Sequence, residues 1–169
     1  DDPFGKAGLK SAQGAFTQFN IKPTIEAPID MGKLDALAAT TTEIAKTHPG
    51  AIIMITAGKA STAFIREYLK TGERPQFFGV SVLSAKALLA DLGNDAHGIV
   101  IAQVVPSPLR SSYVISKEFT ANAKKANSTD TTYNSLEGYI TAKVFIEALR
   151  RAGKDLTREK LMSALETMN

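Results

Sequence analysis

The run Ala51-Ile52-Ile53-Met54-Ile55-Thr56 constrains the fold of this chain more than any other feature. It is too short for a helix and too uniformly apolar for a strand with one wet face, so it reads as a central parallel strand covered on both sides. Turn signals bracket it, His48-Pro49-Gly50 before and Ala57-Gly58 after. Gln76 to Val82 and Gly98 to Val105 repeat the pattern, the second stopped by Pro106-Ser107-Pro108. Helical periodicity fills the intervals. Leu34, Leu37, Ala38, Thr41, Ile44 and Ala45 make one face; Ser61, Phe64, Ile65, Tyr68 and Leu69 make the next, ending near Gly72. A short helix capped by Ser84 then carries Leu88, Leu89 and Leu92 to Gly93. Alternation of strand and helix predicts an α/β fold built on a doubly wound parallel sheet.

The opening residues extend the same logic backwards. Asp2 suits an N-cap, Pro3 the first helical position, and Leu9, Ala12, Ala15, Phe16 and Phe19 recur at helical spacing. This is a strand-to-helix turn whose strand is missing, and the expectation is that a strand precedes it. Thr24 to Ala27 gives a further short strand signal, closed by Pro28. Beyond Ser112 the pattern changes. A helix passes through Phe119 to about Ala126, a polar stretch follows, and then only helices. Asn134 with Glu137 forms an expected capping box for a helix lined by Leu136, Ile140, Val144 and Ala148, and Thr157 caps the last helix. A boundary is expected between Asp130 and Tyr133.

Composition removes several function classes. The 169 residues carry 20 basic and 17 acidic side chains, a net charge of +3, and the basic ones are scattered rather than clustered into a nucleic-acid stripe. No run of 18 apolar residues marks a membrane span, and the opening does not read as a charged-then-apolar leader, so the expectation is a cytosolic or already processed chain. With no cysteine there are no disulfides, thiolate metal ligands or cysteine nucleophiles, which suits an oxidising compartment.

The search for catalytic chemistry returns little. Neither G-x-G-x-x-G nor a Walker loop is present. His48 and His97 read as turn histidines, Asp95 being the single carboxylate close to either and too few ligands for a metal. Asp1 and Asp2 read as helix capping rather than a metal pair. Ser61 makes no nucleophile elbow, because Lys59 and Ala63 stand where glycines are needed. Phe64, Tyr68, Phe77 and Phe78 read as core, and Arg150-Arg151 as a helix end answering the macrodipole. In an open parallel sheet ligands sit beyond the carboxyl ends of the strands. Those ends here are Asp1 to Phe4, Ala57 to Ser61, Ser81 to Ser84 and Val105 to Ser107. They are mostly small or polar, a rim suited to reversible small-molecule binding and not to an enzyme.

Four segments in the same order carry a resemblance: Asp1-Asp2-Pro3-Phe4-Gly5-Lys6-Ala7-Gly8, Gln76-Phe77-Phe78-Gly79-Val80-Ser81, Gln103-Val104-Val105-Pro106-Ser107-Pro108, and Ser135-Leu136-Glu137-Gly138-Tyr139 with Ala152-Gly153-Lys154-Asp155-Leu156-Thr157-Arg158-Glu159. Together the chain resembles the second half of a type I periplasmic binding protein, and more narrowly the branched-chain amino-acid-binding receptors of ABC transporters. The resemblance implies two Rossmann-like lobes joined by a hinge with a solute trapped between them. Residues 1–131 then correspond to lobe two without its first strand, and residues 132–169 to helices returned to lobe one. It implies an exported, periplasmic or extracellular receptor, a membrane ABC permease as partner, no cofactor and no nucleic acid. The family's sheet order puts the missing strand between those at Thr24 and Ile52. A separate segment or another chain is then expected to complete the sheet, and residues 1–169 alone are not expected to form a stable monomer.

The resemblance carries ligand contacts to Phe4, to Gly58, Lys59 and Ala60, and to Ser81. Many relatives place an acidic partner for a ligand ammonium near the last of these positions; Ser81 is neutral, which favours a neutral or carboxylate-bearing solute over one held by its ammonium. Lys59 reads either as a solvated rim lysine or as the partner of such a carboxylate. Ligand-sensing domains of regulators and receptors share the same two-lobed fold and stand as the alternative function.

Overall fold

The computed structural model describes residues 2–30, 33 and 36–168; Asp1 and Leu34 lie outside the described residues. The chain divides into two compact units, Asp1–Gln103 and Val104–Asn169. The division by packing thus follows Gln103, whereas the boundary between Asp130 and Tyr133 was placed by a change of chain pattern.

In the first unit α1 (Pro3–Gln18) opens as its sequence dictates, with the Asp2 carboxylate accepting from Gly5 N–H at 2.7 Å and Pro3 in the first turn. Then come α2 (Leu37–Ala45), β1 (Ala51–Met54), α3 (Lys59–Leu69), β2 (Gln76–Gly79) and α4 (Ala85–Leu92). A 3-10 turn (Gly93–Ala96) leads into β3 (Val100–Ile101). The strands form a parallel sheet in the order β1-β2-β3, with Ile52 opposite Phe77 and Phe78 opposite Val100. Parallel neighbours joined through helices are what the alternating pattern requires.

Several expectations change. Thr24 to Ala27 belongs to no strand, and the chain bends at Thr24. Pro23 and Pro28 remove backbone donors at either end, and no ladder partner lies beside the segment among the described residues. The Ile52 strand is an edge strand rather than a central one: Met54 is buried, but Ile53 is 50% exposed. Phe78 likewise points outward while Phe77 is buried, because successive side chains of a strand face opposite ways. β2 and β3 are also shorter than their apolar runs.

The core of this unit gathers Leu37, Ile44, Met54, Phe64, Ile65, Tyr68, Phe77, Leu83 and Leu88. Tyr68 is its aromatic centre, 5.9 Å from the Phe64 ring and edge-on to Phe77 at 5.8 Å. Each such side chain stabilises the fold by about 1.5–3 kcal/mol when fully buried.

The second unit contains α5 (Val114–Lys125), α6 (Tyr133–Ala152) and α7 (Arg158–Glu166). The capping box of α6 is Thr132 with Ser135, not Asn134 with Glu137. Thr132 Oγ1 accepts from Ser135 N–H at 3.2 Å, and Ser135 Oγ accepts from Thr132 N–H at 2.8 Å. A serine hydroxyl closes the box here as a glutamate would elsewhere, so the helix starts earlier than the acidic signature suggests. Gly153 ends α6 at φ +81°, and Thr157 caps α7 through Lys160 N–H.

Candidate functional site

The expected contact residues of the first unit gather at the carboxyl end of its sheet. Register makes this so: Met54 pairs with Gly79, so Thr56 and Ser81 each lie two residues beyond a paired position on adjacent strands. Between β1 and α3 the backbone turns at Gly58, with φ +57° and ψ −138°, a conformation open to glycine and strained for other residues. No side chain caps α3. The first N–H groups of the helix therefore point beyond the sheet without an intrahelical partner, with only Ser61 N–H turning back to Gly58 O at 3.2 Å.

Side chains around this turn divide into support and rim. Thr56 and Ser61 hydroxyls lie 2.7 Å apart, and Ser61 is fully buried, which ties the end of β1 to the first turn of α3. Neither the helix face nor the strand-end rim to which Ser61 was expected to belong gives it this partner; a strand-end hydroxyl five residues before another is the signal that the hydrogen bond leaves. Ala60 is buried beneath the turn. Lys59 is exposed, and its ammonium forms no ion pair among the described residues. Ser81 is half-buried in the turn after β2, just ahead of the Ser84 cap of α4. Phe4 is 44% exposed in the first turn of α1, lining the same cleft as Thr56 and Ala57. Gly58, Lys59 and Ser81 thus lie along one edge, with the Ala60 side chain buried behind it and Phe4 at its margin.

Such an edge offers backbone donors, the positive end of a helix dipole and one cation, which suits a carboxylate held reversibly. The turn histidines serve locally: His48 Nδ1 lies 3.0 Å from Glu73, and His97 Nδ1 lies 3.0 Å from Asn94 O. No cluster able to hold a metal occurs among the described residues.

The second unit holds a polar network that sequence reading missed. Lys143 Nζ donates to both Glu118 carboxylate oxygens at 2.6 Å. Tyr139 Oη donates to Glu118 Oε1 at 2.6 Å and accepts from Asn122 Nδ2 at 2.6 Å. The Lys143 hydrogen bond, aided by that from Tyr139, holds the Glu118 carboxyl below the usual range. The carboxylate in turn raises both Tyr139 and Lys143. No spacing rule could have joined residues on two different helices.

A family of proteins described as periplasmic binding proteins matches the chain over residues 1–169. Solved structures match it too. A substrate-binding periplasmic protein from Ralstonia solanacearum is 26% identical with a TM-score of 0.80, covering 98% of this chain and 47% of its own. An extracellular ligand-binding receptor from Verminephrobacter eiseniae is also 26% identical, with a TM-score of 0.78 over 99% of this chain and 48% of its own. A possible leucine/isoleucine/valine-binding protein from Rhodopirellula baltica shares the fold at 24% identity and a TM-score of 0.78, covering 98% of this chain and 46% of its own. The chain therefore spans about half the length of the structures it matches. No curated protein matches it.

Proposed function

The chain belongs to the periplasmic binding protein family, and on that premise we propose that it is part of an exported solute receptor that hands an amino acid or related small carboxylate to a membrane ABC permease. Residues 1–131 form most of one lobe in this reading, and residues 132–169 return to the other. The observation that carries it is the convergence of the uncapped α3 N-terminus, Lys59 and Ser81 at one end of the parallel sheet. Lys59 pairs the solute carboxylate, the N–H groups of Lys59 and Ala60 bind its oxygens, and Phe4 covers the apolar part. Ser81 supplies a hydroxyl and no charge. A ligand ammonium beside Ser81 would draw no charge from that side chain, the Asp2 carboxylate at the start of α1 being engaged with Gly5 N–H, and an unpaired charge out of water costs several kcal/mol.

A thermal-shift titration of the longer, two-lobed polypeptide with leucine and with 4-methylpentanoate, its deaminated analogue, tests this. Both are expected to stabilise the protein, by about 2.7 kcal/mol at a hundredfold excess over Kd, and Lys59→Ala should weaken both about tenfold. Stabilisation by leucine alone would defeat the carboxylate reading. Chemical conversion of either compound would defeat the receptor reading.

A further inference from the structure

Two hydroxyls meet where β1 hands over to α3, and they are not equivalent. Thr56 Oγ1 and Ser61 Oγ lie 2.7 Å apart, and among the described residues neither hydroxyl has another hydrogen-bond partner. Ser61 is fully buried, whereas Thr56 is half-buried and lines the cleft that Phe4 also lines. One oxygen must donate and the other accept. Were Thr56 the donor, the Ser61 proton would sit in the dry interior without an acceptor, a state that folded chains avoid. Ser61 therefore donates and Thr56 accepts. The second proton of the pair is left on the hydroxyl that reaches the surface.

The surrounding turn fits this assignment. Thr62, next in the chain, donates to Lys59 O at 3.0 Å, the usual recourse of a hydroxyl in a first helical turn. The Ser61 hydroxyl reaches instead for the end of the preceding strand. Thr56 also stands level with Ser81 on the neighbouring strand, each two residues past the Met54–Gly79 pair. An accepted hydrogen bond strengthens the one that the same hydroxyl donates, so the Thr56 O–H is a polarised donor. Such a donor matches a group that only accepts, and a carboxylate oxygen gives the shorter, charge-assisted form of that bond.

We propose that Thr56 is a specificity-determining residue of the solute edge, its hydroxyl donating to one carboxylate oxygen of the solute, and that Ser61 is a positioning residue that directs this proton without touching the solute. The inference rests on the reading of the edge as a carboxylate site and adds to it a donor without charge. Lys59 draws the carboxylate in; Thr56 fixes how it is turned.

The test measures calorimetric Kd values of the longer, two-lobed polypeptide for 4-methylpentanoate labelled with carbon-13 at its carboxyl. Thr56→Val keeps the shape without the hydroxyl and is expected to weaken binding about tenfold, whereas Thr56→Ser restores the donor and should bind within about twofold of the unsubstituted protein. Ser61→Ala removes no atom at the edge; it should weaken binding about threefold, and adding it to Thr56→Val should cost nothing more, because Ser61 acts only through Thr56. The bound carboxyl resonance should move in Thr56→Val and stay in place in Thr56→Ser, which a merely structural role for the hydroxyl pair does not predict. Unchanged affinity in Thr56→Val, or additive losses in the double variant, overturns the assignment; a loss in Lys59→Ala beside either result leaves the carboxylate reading standing. Absence of 4-methylpentanoate binding by the unsubstituted protein overturns both. Thr56→Val leaves the Ser61 donor without an acceptor, and should it not fold, Ser61→Ala decides alone: full affinity refutes the proposal, and weaker binding with a displaced carboxyl resonance supports it.

Discussion

At the scale of single residues, glycine is used for two different reasons, and substitution separates them. A Cβ on Gly8 would run into the Ile55 side chain, whereas nothing lies within 4 Å of one on Gly14 in the same helix. Gly8→Ala is therefore expected to destabilise by about 1–3 kcal/mol through overpacking. Gly14→Ala should stabilise by about 0.5–1 kcal/mol by restricting the unfolded chain. Urea midpoints measure both, and equal effects would show that α1 does not approach β1 this closely. Tyr68 is the second case. Its ring is fully buried, its hydroxyl has no hydrogen-bond partner among the described residues, and burial, with Glu73 adding to it, pushes its pKa up. Tyr68→Phe keeps the aromatic contacts and removes the orphan hydroxyl, so stability should be unchanged or higher by about 1 kcal/mol; a large loss would reveal a partner for Oη. The cap at Asp2, the turn at Gly58 and the aromatic core were legible in sequence because each is decided by neighbours a few residues away.

At the scale of elements, α5 and α6 are joined by the Glu118 network together with the Phe119 and Tyr139 rings, 5.4 Å apart. Glu118 has a depressed pKa in the folded state, led by the Lys143 hydrogen bond. Its contribution to stability is therefore present above the ordinary glutamate value of about 4.3 and lost as pH falls through the depressed folded value. Lys143→Met should return the Glu118 titration, followed by carboxyl carbon NMR, toward the ordinary range. The stability difference between the two proteins should be greatest near neutrality and shrink in acid; an equal difference at pH 3 and pH 7 would exclude an electrostatic origin. The helices themselves were readable from period and caps, but this coupling was not, because Glu118 and Lys143 stand 25 residues apart and meet only after both helices have packed. The Thr132 and Ser135 box shows the opposite limit: a local signal was present, and an acidic look-alike two residues on outweighed it.

At the scale of the whole molecule, large apolar side chains stand in water. Val144, Phe145 and Ile146 on α6 are 42%, 49% and 55% exposed, and Ile53 and Val100 on the sheet are 50% and 47%. Contiguous exposed apolar surface and an open strand edge both recruit partners. The 169 residues expressed alone should therefore self-associate in sedimentation and lose a cooperative monomeric denaturant transition; a sharp, monomeric transition would show that this surface is tolerated. Periodicity and turn chemistry, which act within a few residues, made the alternation of helix and strand, the parallel class of the sheet and the caps at Asp2, Ser84 and Thr157 readable from sequence. Packing alone sets the most apolar run at an edge of the described sheet and leaves Thr24 to Ala27 without a ladder partner among the described residues. A strand is apolar for the neighbours it is built to have, and its composition cannot reveal whether they are in place.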